Sequence, residues 1–169
     1  MGDFLKGSEL EKYPKTIQEG VALHRKIDKF TDNHKLTKQA KALIRADFER
    51  YTPVVCDVFF DYFLGVHWRK YSEIELGTFS KNIYSVLNQN ISLLPERSKR
   101  FLYHMETNDI LVQYGTIQGI GKVLFGLSHR AKFQSKMLGG EKVLEEKKEQ
   151  LEKLFLPFFD DLIIACKQP

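Results

Sequence analysis

Cysteine is almost absent from the 169 residues, which hold only Cys56 and Cys166. The two have no C-x-x-C spacing, which excludes a zinc ribbon, and a pair does not make a disulfide framework. Both stand among apolar neighbours, and they read as buried free thiols in a reducing cytoplasm. Proline and glycine are sparse, at 5 and 11, so the chain has few breaks. No apolar run approaches the roughly 18 residues that a membrane helix needs, and the N-terminus has no signal-peptide pattern. Neither sign of charge dominates. The net charge is +4, with its excess in residues 1–50, where 11 Lys/Arg stand against 8 Asp/Glu. That is too thin for the dense basic stripe of a nucleic-acid binder. Neither a nucleic acid nor a membrane is expected as partner, and no oligomeric state is read. Strand signals are nearly absent. The phosphate-cradling patterns G-x-x-x-x-G-K-[ST] and G-x-G-x-x-G do not occur, and Ser-His-Asp catalysis has no nucleophile elbow to stand on.

What is present is apolar residues at spacings of three and four, the helical period. Hydrophobic residues make up 43% of the chain and Phe numbers 13, enough for an aromatic-rich core in one domain over residues 1–169. The spacing predicts an all-α bundle of about seven helices. One follows Pro14 to Phe30, with residues 31–33 as a cap or turn. A second covers 35–50. A third opens at Pro53 behind a Thr52 cap. A fourth covers 73–92 behind Ser72. The rest cover 96–107, 110–130 and 141–166, the last with a possible kink at Pro157.

Two constellations carry the chemistry. In residues 54–68 the only Asp, Glu, Lys or Arg are Asp57 and Asp61. They are four apart, so one face of an otherwise apolar helix carries both. Buried carboxylates side by side repel and are costly unless paired or metal-bound. The alternatives are an Arg from a neighbouring helix or partial exposure. In residues 23–34, His24 and Asp28 are also four apart, with Asp32 beyond them. Imidazole plus carboxylate at this spacing is half of a divalent-metal site. Alone it reads better as an exposed histidine beside ordinary helix ion pairs, and the acidic apolar helix close by in the chain shifts the balance towards a shared site. Asp3, between Gly2 and Gly7, reads as a ligand or a helix cap. His34 and His67 are candidates for proton transfer, although His67, flanked by Val66 and Trp68, is as well read as a core histidine. His24, Asp28, Asp57 and Asp61 are expected to converge within one coordination sphere.

Five blocks in order, GDFLKG at 2–7, LHRKIDKFTDNH at 23–34, DVFFDYFLGVHW at 57–68, LLPERSKRFL at 93–102 and YGTIQGI at 114–120, resemble the acyl carrier protein phosphodiesterase (ACP hydrolase) family. That family is similar to the all-helical HD-type metal-dependent phosphohydrolases. The resemblance implies removal of 4′-phosphopantetheine from holo acyl carrier protein, with Mn²⁺ or Mg²⁺ and an attacking water, to give the apo carrier. It implies Asp3, His24, Asp28 and Asp61 as metal ligands. Asp57 would be a further ligand or the base that orients water. Arg25 would hold a phosphate oxygen. His67 is the remaining catalytic candidate, and Asp32 is expected to orient or cap.

Family members usually carry an apolar, His-containing stretch before the GDF block, and these residues lack it. The family's N-terminal segment is therefore expected to be missing, at a cost in activity. The substrate would be an acidic protein, for which Lys6, Lys12, Lys15, Lys26, Lys29, Lys35 and Lys38 offer a basic rim. The competing readings are an HD-type hydrolase of a nucleotide or other small phosphoester, and a helical binding protein without catalysis.

Overall fold

The computed structural model describes residues 7–167. Nine α-helices run through them: α1 (Lys15–Asn33), α2 (Lys35–Phe48), α3 (Thr52–Val66), α4 (Trp68–Tyr71), α5 (Leu76–Gln89), α6 (Glu96–Thr107), α7 (Ile110–Gln113), α8 (Ile117–Arg130) and α9 (Gly140–Lys167). Seven of these have 12 residues or more and two have four. No strand occurs among the described residues. The all-α expectation holds, with the two short helices added.

The apolar helix α3 sits at the centre. It packs against α2, α8 and α9, and α1 lies across α2 and α9. Val55, Cys56, Phe59 and Phe63 of α3 are fully buried. Aromatic rings tie the layers together. Phe48 of α2 meets Phe59 edge-on at 5.8 Å, and Phe155 of α9 meets Phe60 and Phe63 at 5.4 and 5.7 Å. Burying such a ring is worth about 2–3 kcal/mol. A satellite cluster of Tyr84, Leu94 and Leu102, with Leu111 against it, joins α5, α6 and α7.

Four boundaries differ from the sequence expectation, each for a local reason. α1 continues through residues 31–33 and ends at His34, whose Nδ1 accepts the Leu36 N–H at 3.3 Å and so caps α2. Thr52 is the first residue of α3, and its hydroxyl donates to the Glu49 carbonyl at 2.7 Å. Ser72 does not cap a helix. Its Oγ accepts the Ile74 N–H in a turn, and α5 begins at Leu76. The stretch expected as one helix over 110–130 breaks between α7 and α8. There Thr116 Oγ1 accepts the Gly119 N–H at 3.0 Å, a standard N-cap bond. α3 approaches this turn with no side chain between. A Cβ added to Gly65 would lie 2.6 Å from Gly115 Cα. Pro157 does not end α9, which runs on to Lys167.

Candidate active site

A pocket of about 940 Å³ opens between α1, α3 and α9. Its size is at the upper end for small-molecule sites. From α1 come His24, Ile27, Asp28, Thr31 and Asp32. From α3 come Asp57, Phe60, Asp61 and Leu64, and from α9 Phe155, Phe158, Phe159, Leu162, Ile163, Cys166 and Lys167. The helical repeat explains the wall. His24 and Asp28, and likewise Asp57 and Asp61, are one turn apart and face the same way. The pocket therefore has two sides. One carries carboxylates and an imidazole, and the other is mostly aromatic and aliphatic.

Charge is concentrated on the polar side. His24 Nε2 lies 3.3 Å from Asp28 Oδ2. Asp57 and Asp61 are exposed, but their open surface faces the pocket while the apolar body of α3 surrounds them behind. Confinement in this concavity removes much of the bulk water around each carboxylate, which disfavours the ionised form. Burial pushes Asp57 up to about 6, with Asp32 and Asp28 adding to the rise and Lys41 opposing it. Burial, and then the neighbouring Asp57, pushes Asp61 up to about 7. The charge of Asp61 also helps raise the Tyr114 phenol, after burial as the main cause. No ion pair holds Asp57 or Asp61 among the described residues. Lys41 instead gives its hydrogen bond to Asp32 at 2.7 Å. The pocket thus holds more negative charge than the described side chains neutralise.

Residues 1–162 match the model of a family described as acyl carrier protein phosphodiesterase. The chain belongs to that family. It is 28% identical over 164 residues to the acyl carrier protein phosphodiesterase of Yersinia pestis, covering 96% of this chain and 85% of that one. Against the protein of the same name from Pectobacterium atrosepticum it is 28% identical over 168 residues, covering 99% and 87%. Against that of Enterobacter sp. strain 638 it is 29% identical over 171 residues, again covering 99% and 87%. No solved structure matches the chain. Membership makes the chain one of a family of phosphodiester hydrolases.

The fold brings His24, Asp28, Asp57 and Asp61 to this one pocket, with Asp32 beside them. Asp3 lies outside the described residues. Arg25, one residue along α1 from His24, is exposed and does not line the pocket. His67 does not line this pocket. It ends α3 and its Nε2 lies 2.7 Å from Glu152 Oε1 of α9, away from the pocket lining. It ties two helices together. His34 likewise contacts Asp161 of α9 at 3.3 Å. Cys56 is buried, and that burial pushes its thiol up to about 12, whereas Cys166 is only half-buried and lines the pocket. The sequence reading missed Lys167, Cys166 and the apolar wall of α9. The only signal for them was an apolar stripe at helical spacing, which does not say what it faces.

Carboxylate and imidazole are the donors that a hard or borderline divalent cation takes, and un-neutralised carboxylates are the electrostatic setting for one. In donor chemistry the pocket fits such an ion. The described residues do not close a coordination sphere by themselves. No three His, Cys, Asp or Glu side chains among them come close enough to hold one ion. The expected convergence is met at the scale of the pocket, not at the scale of a single sphere.

Proposed function

We propose that this chain hydrolyses the phosphodiester that joins 4′-phosphopantetheine to a serine of holo acyl carrier protein, using Mn²⁺ or Mg²⁺. The observation that carries this reading is the two-sided pocket. A chemically matching substrate has a phosphodiester at one end and a long, partly apolar arm at the other. The α9 wall of Phe158, Phe159 and Leu162 suits the arm, and the α1–α3 wall suits the phosphodiester with its cation. Family membership supports the substrate class. The cation would sit on the carboxylate side of the pocket, against Asp61 or the His24–Asp28 pair, with Asp3 and solvent oxygens completing a sphere that these side chains do not close by themselves. When bound, it supplies positive charge to the phosphoryl oxygens and eases deprotonation of a nearby water. Asp57, with its carboxyl near 6, is suited to orient the attacking water and accept its proton. Water adds to phosphorus as its proton passes to Asp57, the bond from phosphorus to the serine oxygen breaks, and that proton is returned to the serine oxygen as it leaves. The reading puts the enzyme in the cytoplasm, which the two free thiols favour.

The deciding experiment is a mass assay of purified holo carrier protein with the chain, with Mn²⁺ and with chelator. The expected result is loss of the phosphopantetheine mass with Mn²⁺ alone. An unchanged carrier mass in both arms, from protein that is folded and binds Mn²⁺, would reject the substrate.

Cation binding at these carboxylates must displace their protons. The apparent Mn²⁺ affinity should therefore rise with pH through about 6 to 7, where Asp57 and Asp61 titrate. Calorimetry in two buffers of different ionisation heat measures the protons released. Binding without proton release in that range would locate the ion elsewhere.

A further inference from the structure

Away from the pocket, α6 and the end of α8 form a second concavity of about 310 Å³, lined by Arg97, Arg100, Phe101, His104 and Arg130. Positions 97, 100, 101 and 104 are spaced three and four apart, which puts them on one face of α6. Arg130 closes the cleft as the last residue of α8. Arg100 and Arg130 thus face a small hollow beside the His104 imidazole, and no carboxylate lines it among the described residues. The two acids of α6 are turned to other groups. Glu96 lies near enough to feel Arg100, yet its hydrogen bond comes from Lys99 at 2.6 Å, and Glu106 accepts from Asn88 at 2.8 Å. Phe101 is 47% exposed, an apolar ring left beside the cations.

Gathering like charges around one hollow costs free energy that an anion recovers. The guanidinium is the group whose planar fork matches phosphate oxygens two at a time. An exposed aromatic ring beside it offers a stacking face to a flat ligand. A concave cleft of this volume suits a small molecule better than the broad surface of a protein, which needs several hundred Å² of contact from each partner.

We infer that the α6–α8 cleft binds a phosphate-bearing small molecule, with the phosphate on Arg100 and Arg130 and a flat moiety on Phe101. This site shares no lining residue with the α1–α3–α9 pocket and stands or falls independently of the proposed reaction.

The test is a titration of the full chain, in chelator and at constant ionic strength, with ADP, inorganic phosphate and a glutamate-rich peptide, followed by amide chemical shifts. The expected result is saturable binding of ADP, and more weakly of phosphate, with shifts on α6 and at the end of α8. The double variant Arg100→Gln/Arg130→Gln should weaken both by about tenfold or more, as loss of charge-assisted forks requires. Phe101→Leu, which keeps every charge, should weaken ADP and leave phosphate unchanged. Asp61→Asn should bind both probes as the parent does. Absence of saturation by either phosphate probe, or equal binding in the double variant, overturns the inference. Binding of the acidic peptide alone overturns it in favour of a protein partner.

Discussion

Replacing Asp61 by Asn should abolish turnover of holo carrier protein, by at least about 100-fold, the upper range for losing a residue that only supports a metal ligand. The same variant should be more thermally stable than the parent at pH 8 without metal. Asp61 faces the pocket with its carboxyl pushed up to about 7 by burial and by Asp57. Its folded-state value lies above the ordinary carboxylate value of 3.8. Its favourable contribution is therefore complete below about pH 4 and is lost as pH rises through about 7. At pH 8 the parent carries two ionised carboxylates one turn apart, and Asn removes one. Below about pH 4 the carboxyl of the parent is mostly neutral and the two melting temperatures should converge. Thermal melts across pH, beside the mass assay, test both halves. A stability gain with unimpaired turnover would make Asp61 an electrostatic liability of the fold and remove it from catalysis.

The second large effect is on the frame that holds those acids. Gly65→Val should destabilise the chain by about 3 kcal/mol, the upper part of the range for overpacking. A Cβ at Gly65 would lie 2.6 Å from Gly115 Cα and 2.9 Å from its nitrogen. Both are backbone atoms that cannot rotate away. α3 would have to lift off the turn between α7 and α8, carrying Asp57 and Asp61 with it. Turnover should therefore fall along with the urea midpoint. Gly20 on α1 is the contrasting position. Nothing lies within 4 Å of a Cβ there, and Gly20→Ala should stabilise α1 by about 1 kcal/mol through helix propensity. Equal urea midpoints for Gly65→Val and the parent would show that the close approach does not constrain α3.

The contrast between these two glycines marks what the sequence could and could not tell. Helical content was legible because it is local. Sparse breakers and a spacing of three and four announce each long helix, and the pairs His24–Asp28 and Asp57–Asp61 declare their shared faces by spacing alone. The break at 114–116, with Thr116 capping α8, was passed over within an unbroken helical spacing, and its close approach to Gly65, fifty residues upstream, is stated by no local pattern. The surroundings of His67 left it open between a proton-transfer group and a core histidine, because the residue it meets, Glu152, lies 85 positions away. Cys166 and Lys167 belong to the pocket only because α9 folds back along α1, and no local pattern states that. Asp57 and Asp61 were read as enclosed carboxylates. In the fold they open onto the pocket, so confinement tunes them without sealing them off.

That return of α9 also sets when the site can exist. Its contact with the first part of the chain, His34 to Asp161, spans 127 residues. As the chain leaves the ribosome, α1 and α3 emerge long before α9, with the acidic stripe formed and its opposite wall missing. Until residues 140–167 arrive, Phe60 and Phe63 lack Phe155 and the pocket lacks its apolar wall. Loop closure over so many residues comes late in folding. On the proposed reaction, a ribosome-bound chain that lacks residues 140–167 is expected to leave holo carrier protein unchanged, and its uncovered aromatic face is expected to favour association until α9 docks.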